Sequence, residues 1–155
     1  MNTLFSHVCV VTMDDRMSVW TDAFVGVTDG KISYLSKHAP EEKPDQIIDA
    51  TGMVLMPGLI NCHTHLPMQL LRGYADDLKL QEWLNDYIFP REDRLDGRCV
   101  RAATTLAVAE CLKFGVTSVS DMYYFCDDIC DVIAKSGMKA NISRGTSMFL
   151  GDDFD

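Results

Sequence analysis

One stretch of the chain, Met56 to His65, joins an apolar run to two histidines spaced two residues apart. Successive side chains of a strand point to opposite faces, so His63 and His65 would share one face. Their Cα atoms would then lie roughly 6.5–7 Å apart, and both rings could reach one metal at ~2.0–2.1 Å. The apolar run predicts a strand buried on both faces, as in a parallel sheet covered by helices. Taken alone, a His-x-His pair is more often structural or simply exposed.

The hydrophobic period changes near residue 55, which predicts two domains, 1–55 and 56–155. Residues 1–55 contain β-prone runs, and Asp29-Gly30 between two of them predicts a hairpin. Later strands separated by helical segments predict βαβ units and an α/β fold with a parallel sheet. The predicted elements are strands over 54–65, 116–124 and 139–146, a loop over 66–77, and helices over 79–89, 98–114 and 127–135.

Composition excludes several classes of function. The net charge is −9 and the basic residues are scattered, which argues against nucleic acids and anionic membranes as partners. No apolar run approaches the roughly 18 residues of a membrane span, and the N-terminus lacks the features of a signal peptide. The six cysteines lie in apolar periodic positions, so we expect reduced core residues in a cytoplasmic protein.

The segment from Pro57 to His65 resembles the first metal motif of the amidohydrolase superfamily. The continuation, Leu70-Leu71-Arg72-Gly73 to Pro90-Arg91-Glu92-Asp93, is similar to the 5-methylthioadenosine/S-adenosylhomocysteine deaminases, whose close relatives include triazine hydrolases. The resemblance implies a (β/α)8 TIM-type barrel and a β-sandwich that begins the chain. A complete barrel needs ~250 residues, so the 155 residues are expected to be an incomplete barrel with part of the sandwich, inactive alone.

The resemblance also implies the reaction of the full-length parent, a metal-dependent hydrolase acting on C–N bonds. That reaction is hydrolytic deamination of adenine nucleosides such as S-adenosylhomocysteine, 5-methylthioadenosine or adenosine, which are small-molecule substrates. The cofactor would be one divalent metal, with zinc expected and iron, nickel or manganese as alternatives. Two other functions stay open: a related enzyme acting on guanine, cytosine or triazine rings, and a catalytically inactive fragment. A homo-oligomeric parent also stays open.

Five residues match site positions of the resembling family. His63 and His65 match its metal ligands. Glu92 matches a carboxylate that accepts hydrogen bonds from the ribose hydroxyls, and Trp83 and Arg144 match two residues on the substrate side of the family's site. Residue types alone leave simpler alternatives, which are a core role for Trp83, an ordinary ion pair for Arg144 and a solvated carboxylate for Glu92.

Two further residues stand out, one by its position in a strand and one as part of the family motif. Asp121 ends the second barrel strand and is expected to support the site or the fold, whereas Arg72 has no predicted role. The remaining metal ligands and the catalytic proton shuttle are expected beyond residue 155.

Overall fold

The computed structural model describes residues 1–145, which divide into two compact units. The first unit is Met1–Pro57 and the second begins at Gly58. Residues 146–155, including Thr146 at the predicted end of the third barrel strand, lie outside the described residues. No helix within residues 1–145 combines the length and the hydropathy needed to cross a membrane.

The first unit is a sheet built around its N-terminal strand. Antiparallel pairs join β1 to β2 and β2 to β3, and β1 pairs in parallel with β4 and β5. Burial alternates along β1, where Leu4, Ser6, Val8 and Val10 face inward, as the two-residue period of a strand requires. The strands are β1 (Thr3–Val11), β2 (Val19–Thr28), β3 (Lys31–Ser36), β4 (Gln46–Asp49) and β5 (Val54–Leu55).

The predicted hairpin at Asp29-Gly30 is confirmed. Thr28 pairs with Lys31, and both residues between them have positive φ, 51° for Asp29 and 74° for Gly30. A two-residue hairpin turn with positive φ at both positions matches the right-handed twist of its strands, and Asp-Gly tolerates that conformation best.

The second unit is a parallel three-stranded sheet in the order β6-β7-β8 with helices between the strands. This arrangement confirms the predicted α/β class. The strands are β6 (Leu59–Thr64), β7 (Val116–Tyr123) and β8 (Lys139–Arg144). A 3₁₀ helix (Leu66–Leu71) follows β6. The helices are α1 (the segments Leu80–Glu82, Trp83–Ile88 and Phe89–Glu92), α2 (Gly97–Lys113) and α3 (Cys126–Ser136).

The core of the second unit lies between the sheet and the helices α2 and α3, with α2 against β7 and α3 against β8 and α2. The buried residues of α2 recur at helical spacing, so one stripe of this helix faces the sheet. Gly115, with φ 79°, follows the end of α2, and its N–H donates to the carbonyl of Leu112, as is common where a helix ends in a left-handed glycine. The core residues are Leu66, Val100, Ala107, Val108, Val119, Tyr123, Ile129, Ile133 and Met138.

The predicted first barrel strand, 54–65, was wrong in two respects. Val54 and Leu55 pair with β1 of the first unit, and β6 begins only at Leu59. Pro57 explains the break, because proline cannot donate to a strand ladder. The strand is also not buried on both faces: Leu59 is 50% and Ile60 68% exposed. Among the described residues β6 pairs only with β7, so it lies at the edge of the sheet.

The prediction that Pro90 ends the helix begun near Lys79 was wrong. The helix continues to Glu92, and the six residues before Phe89 form a π-helical segment, Trp83–Ile88. The Phe89 N–H donates to the carbonyl of Leu84, five residues back, rather than to the residue four back. Proline lacks an N–H and clashes with the carbonyl four residues earlier, and the wider turn accommodates both defects.

Two smaller expectations were also wrong. The predicted loop 66–77 begins with the 3₁₀ helix, whose Pro67 suits a helical first turn and which is too short to show a period. The cysteines are free, as predicted, but none is a fully buried core residue, and Cys62 and Cys130 are exposed.

Candidate active site

His63 and His65 lie at the C-terminal end of β6 with their rings converging. Their Nε2 atoms are 3.2 Å apart and the rings meet nearly at right angles, at 87°. Two nitrogens bound at ~2.0–2.1 Å to one tetrahedral metal lie roughly 3.3 Å apart. The pair therefore has the spacing of two ligands of a single metal. Within residues 1–145, no third His, Cys, Asp or Glu completes a metal-binding cluster with them.

The backbone of β7 holds the ring of His65. Nδ1 of His65 lies 2.6 Å from the carbonyl oxygen of Met122, which can only accept a hydrogen bond. The proton of a neutral imidazole must then be on Nδ1, which leaves the Nε2 lone pair directed at His63. This is the tautomer and the orienting contact that a metal-binding histidine needs.

Asp121 joins the end of β7 to the residues on either side of His65. Its Oδ1 atom accepts hydrogen bonds from the Thr64 hydroxyl and from the Leu66 backbone, each at 2.7 Å. The carboxyl is 1% exposed, and Oδ2 has no hydrogen-bond partner among the described residues. Burial raises the pKa of Asp121, while the two hydrogen bonds oppose that shift. These two hydrogen bonds tie the residues on either side of His65 to β7.

A pocket of about 500 Å³ lies beside the histidines, at the C-terminal ends of the strands. His65, Trp83, Glu92 and Arg144 all line it, so the structure brings together four of the five predicted site residues. The fifth, His63, lines a neighbouring cavity that His65 shares. The rest of the pocket wall is mostly apolar or aromatic and consists of Met68, Leu84, Ile88, Phe89, Met122, Tyr123, Tyr124 and Gly145.

The three predicted substrate-side residues reach this pocket from two elements. Trp83 begins the π-helical segment and is half-buried, and Glu92 is the last residue of the same helix. Arg144 is the last residue of β8, where it pairs in register with Tyr123 of β7. The parallel sheet places the ends of β7 and β8 side by side, which explains why Arg144 and Tyr123 share the pocket.

Tyr123, which was not among the residues predicted from the sequence, hydrogen-bonds to Glu92. The Tyr123 hydroxyl lies 2.5 Å from Oε1 of Glu92, and its side chain is buried in the core. Burial raises the pKa of Tyr123, and the Glu92 carboxylate raises it further. The only sequence signal was a tyrosine two residues after Asp121 in a strand, a spacing that puts both on one face.

Arg72, which had no predicted role, binds Glu110 of α2. Both terminal nitrogens of the guanidinium donate to the two carboxylate oxygens, and Gln69 bonds to both partners. Hydrogen bonds from Arg72 and Gln69 lower the pKa of Glu110, and those from Arg72 have the larger effect. The cluster ties the segment that follows the histidines to α2.

The model of the amidohydrolase family matches residues 54–151, well over half of the chain. The chain belongs to the amidohydrolase family. The resemblance seen in the motif around His63 and His65 is thereby confirmed, and the family match covers the whole described part of the second unit.

Individual relatives of this amidohydrolase are deaminases by name. The chain is 41% identical over 142 residues to a 5'-deoxyadenosine deaminase of Methanosarcina acetivorans, and the match covers 92% of this chain and 33% of the relative. It is 39% identical over 147 residues to a 5-methylthioadenosine/S-adenosylhomocysteine deaminase of Pelotomaculum thermopropionicum, with 93% and 34% covered. The chain thus spans about a third of the length of these curated relatives.

A solved structure shows the same fold. An adenosine deaminase from Xanthomonas campestris with bound zinc superposes with a TM-score of 0.81 at 36% identity, over 90% of this chain and 33% of that one. The amidohydrolase fold of the described residues therefore agrees with both the family match and the structural comparison.

Proposed function

We propose that this amidohydrolase chain is part of a longer, metal-dependent deaminase that releases ammonia from adenine nucleosides. The observation that carries the proposal is the meeting of His65, Trp83, Glu92 and Arg144 around one pocket, with His63 at 3.2 Å from His65. These residues provide a metal-binding pair, a flat ring, an anion and a cation. The three relatives named above, which are deaminases of adenosine or its derivatives by name, support the same substrate class.

We propose zinc as the metal held by His63 and His65, with iron, nickel or manganese as alternatives. The donor set fits, because both Nε2 atoms face each other and Nδ1 of His65 is held by the Met122 carbonyl. The zinc-bound structural relative supports the choice. When bound, such a metal acts as a Lewis acid that makes water a usable nucleophile near neutral pH. Further ligands and the proton shuttle would come from residues other than those described.

Three residues of the pocket wall could bind the substrate. The Trp83 ring is half-buried and lines the pocket, where it can pack against a planar base. Glu92 accepts hydrogen bonds only, and its carboxylate can take two adjacent hydroxyls of a ribose. Arg144 supplies the positive charge on the same side of the pocket. In this arrangement the sugar is held by Glu92, and the base extends toward the histidine pair.

We also propose how the two units correspond to the domains of a complete amidohydrolase. The parallel β6-β7-β8 sheet corresponds to the first βα units of a TIM-type barrel, and the sheet of the first unit to part of a β-sandwich. Six free cysteines, two of them exposed, fit a reducing compartment, and we propose the cytoplasm.

The decisive experiment uses the full-length gene product, loaded with zinc. Ammonia release is measured with adenosine, 5'-deoxyadenosine, 5-methylthioadenosine and S-adenosylhomocysteine, and in parallel with guanine, cytosine and a triazine. We expect release from the adenine nucleosides. Release from guanine, cytosine or the triazine alone would overturn the substrate class while retaining the reaction type, and no release from any of them would overturn the activity.

A further inference from the structure

The contact between Tyr123 and Glu92 joins two elements that end at the pocket. Tyr123 is the last residue of β7, and Glu92 is the last residue of α1. The phenol oxygen and Oε1 of Glu92 are 2.5 Å apart, and Tyr123 is only 4% exposed. A buried tyrosine usually directs its hydroxyl to a partner, but here that partner is the carboxylate proposed to bind substrate.

The direction of this hydrogen bond is unambiguous. An ionised carboxylate only accepts, so Tyr123 donates and Glu92 accepts. Burial and the neighbouring carboxylate raise the pKa of Tyr123, so the phenol keeps its proton at ordinary pH. Charge-assisted bonds of this length are among the stronger ones in proteins. Glu92 therefore has a permanent donor on one oxygen, and its second oxygen remains available to a ligand.

The same strand end also holds the metal side of the pocket. Met122 accepts from His65 through its carbonyl at 2.6 Å, and the next residue, Tyr123, donates to Glu92. The rings of His65 and Tyr123 lie 6.2 Å apart. Two adjacent residues of β7, Met122 and Tyr123, thus hydrogen-bond to His65 and to Glu92. A strand has little freedom to stretch, so the distance between the two groups is determined by β7.

We propose that Tyr123 is a positioning residue that determines how the enzyme selects nucleosides carrying ribose hydroxyls. This inference rests on the proposed function. Tyr123 holds one oxygen of Glu92 and thereby aims the other oxygen at the sugar. Without that bond the glutamate side chain regains rotamer freedom.

The test compares wild-type full-length enzyme with Tyr123→Phe, which removes only the hydroxyl and keeps the ring. Steady-state kinetics are measured on adenosine and on 2′,3′-dideoxyadenosine, which lacks the hydroxyls that Glu92 would accept. We expect kcat/KM for adenosine to fall about ten-fold, mainly through KM, and kcat/KM for the dideoxy substrate to change little. The thermal midpoint should fall, because a buried charge-assisted hydrogen bond is lost, but the metal content should stay near that of the wild type.

A second variant and a second measurement keep the test independent of folding effects. Tyr34→Phe removes a tyrosine hydroxyl bond of 2.8 Å to the His38 carbonyl in the first unit, and should leave the ratio of the two substrates unchanged. In a Glu92→Gln background, Tyr123→Phe should cause no further loss of discrimination, because the carboxylate it positions is gone. Calorimetric binding of inosine and 2′,3′-dideoxyinosine reads the same preference without catalysis.

The outcomes separate this inference from the proposed function. A wild-type enzyme that deaminates adenosine, together with equal losses on both substrates in Tyr123→Phe, would overturn the positioning role alone. A Tyr123→Phe variant with wild-type kcat/KM on both substrates would also overturn it. A wild-type enzyme that deaminates no adenine nucleoside would overturn the proposed function and this inference with it.

Discussion

The Oδ1 atom of Asp121 lies 2.7 Å from the backbone nitrogen of Leu66, the residue that follows His65. The same oxygen accepts from the hydroxyl of Thr64, which precedes His65. A single buried carboxylate on β7 therefore binds the side chain of the residue before a candidate metal ligand and the backbone of the residue after it. This contact leads to the first prediction.

Asp121→Ala is expected to destabilise the protein by about 1–3 kcal/mol, because the buried backbone N–H of Leu66 loses its acceptor. The Thr64 hydroxyl keeps a second acceptor, the carbonyl of Ser120. Metal affinity should fall as well, since the backbone around His65 is released. Asp121→Asn keeps an acceptor oxygen and removes a buried charge, so its loss should be clearly smaller. Urea unfolding and metal analysis of the two variants check this, and equal losses would contradict the role given to Oδ1.

His63→Ala and His65→Ala should each remove most of the bound metal and nearly all activity from the full-length enzyme, because each loses a ligand nitrogen. Mass-spectrometric metal analysis is the measurement. His38→Ala, an exposed histidine of the first unit, is the matched control and should retain its metal. Wild-type metal content in both ligand variants would refute the assignment.

Glu92→Gln should lower kcat/KM for ribonucleosides by about ten- to a few hundred-fold, since hydrogen bonds to charged groups contribute roughly 1.5–3 kcal/mol each. Activity on a 2′,3′-dideoxy analogue should start low and change little. Glu82→Gln removes an exposed carboxylate at the other end of the same helix and serves as the control. If both substrates lose the same factor, Glu92 does not read the sugar hydroxyls.

The Arg72–Glu110 pair should stabilise the protein in a pH-dependent way. Hydrogen bonds from Arg72, and then from Gln69, lower the pKa of Glu110 in the folded state. The stabilisation is therefore present above the ordinary glutamate pKa of about 4.3 and is lost as the pH falls through the folded value. The difference in unfolding free energy between wild type and Glu110→Gln should shrink on acidification. A pH series of urea unfolding curves measures it, and a pH-independent difference would contradict the ion pair.

Much of the architecture could be predicted because it depends on local rules. The two-residue period of a strand places His63 and His65 on one face, and the structure finds their Nε2 atoms 3.2 Å apart. Asp29-Gly30 forms the hairpin because these residue types accept positive φ. Strand and helix periods alone indicated the βαβ order of the second unit.

The exposure of β6 and the course of α1 could not be predicted in the same way. An apolar strand is buried only if other elements cover it, and periodicity does not report which elements do so. Pro90 normally ends a helix, but a π-helical turn absorbed it and carried the chain on to Glu92. The result depended on the packing of the whole helix rather than on the residue type.

The sequence by itself determined that His63 and His65 share one face, because residue type and strand period are local properties, whereas the roles of Trp83, Glu92 and Arg144 came from the family resemblance. The partners of those residues came from the tertiary structure. Tyr123 and Glu92 are 31 residues apart, and Asp121 and Leu66 are 55 apart. Such contacts depend on the register of β6 against β7 and on where α1 ends, and a shift of one residue along a strand would turn each side chain to the opposite face. No local pattern encodes that register, so these contacts emerged only when the strands were paired.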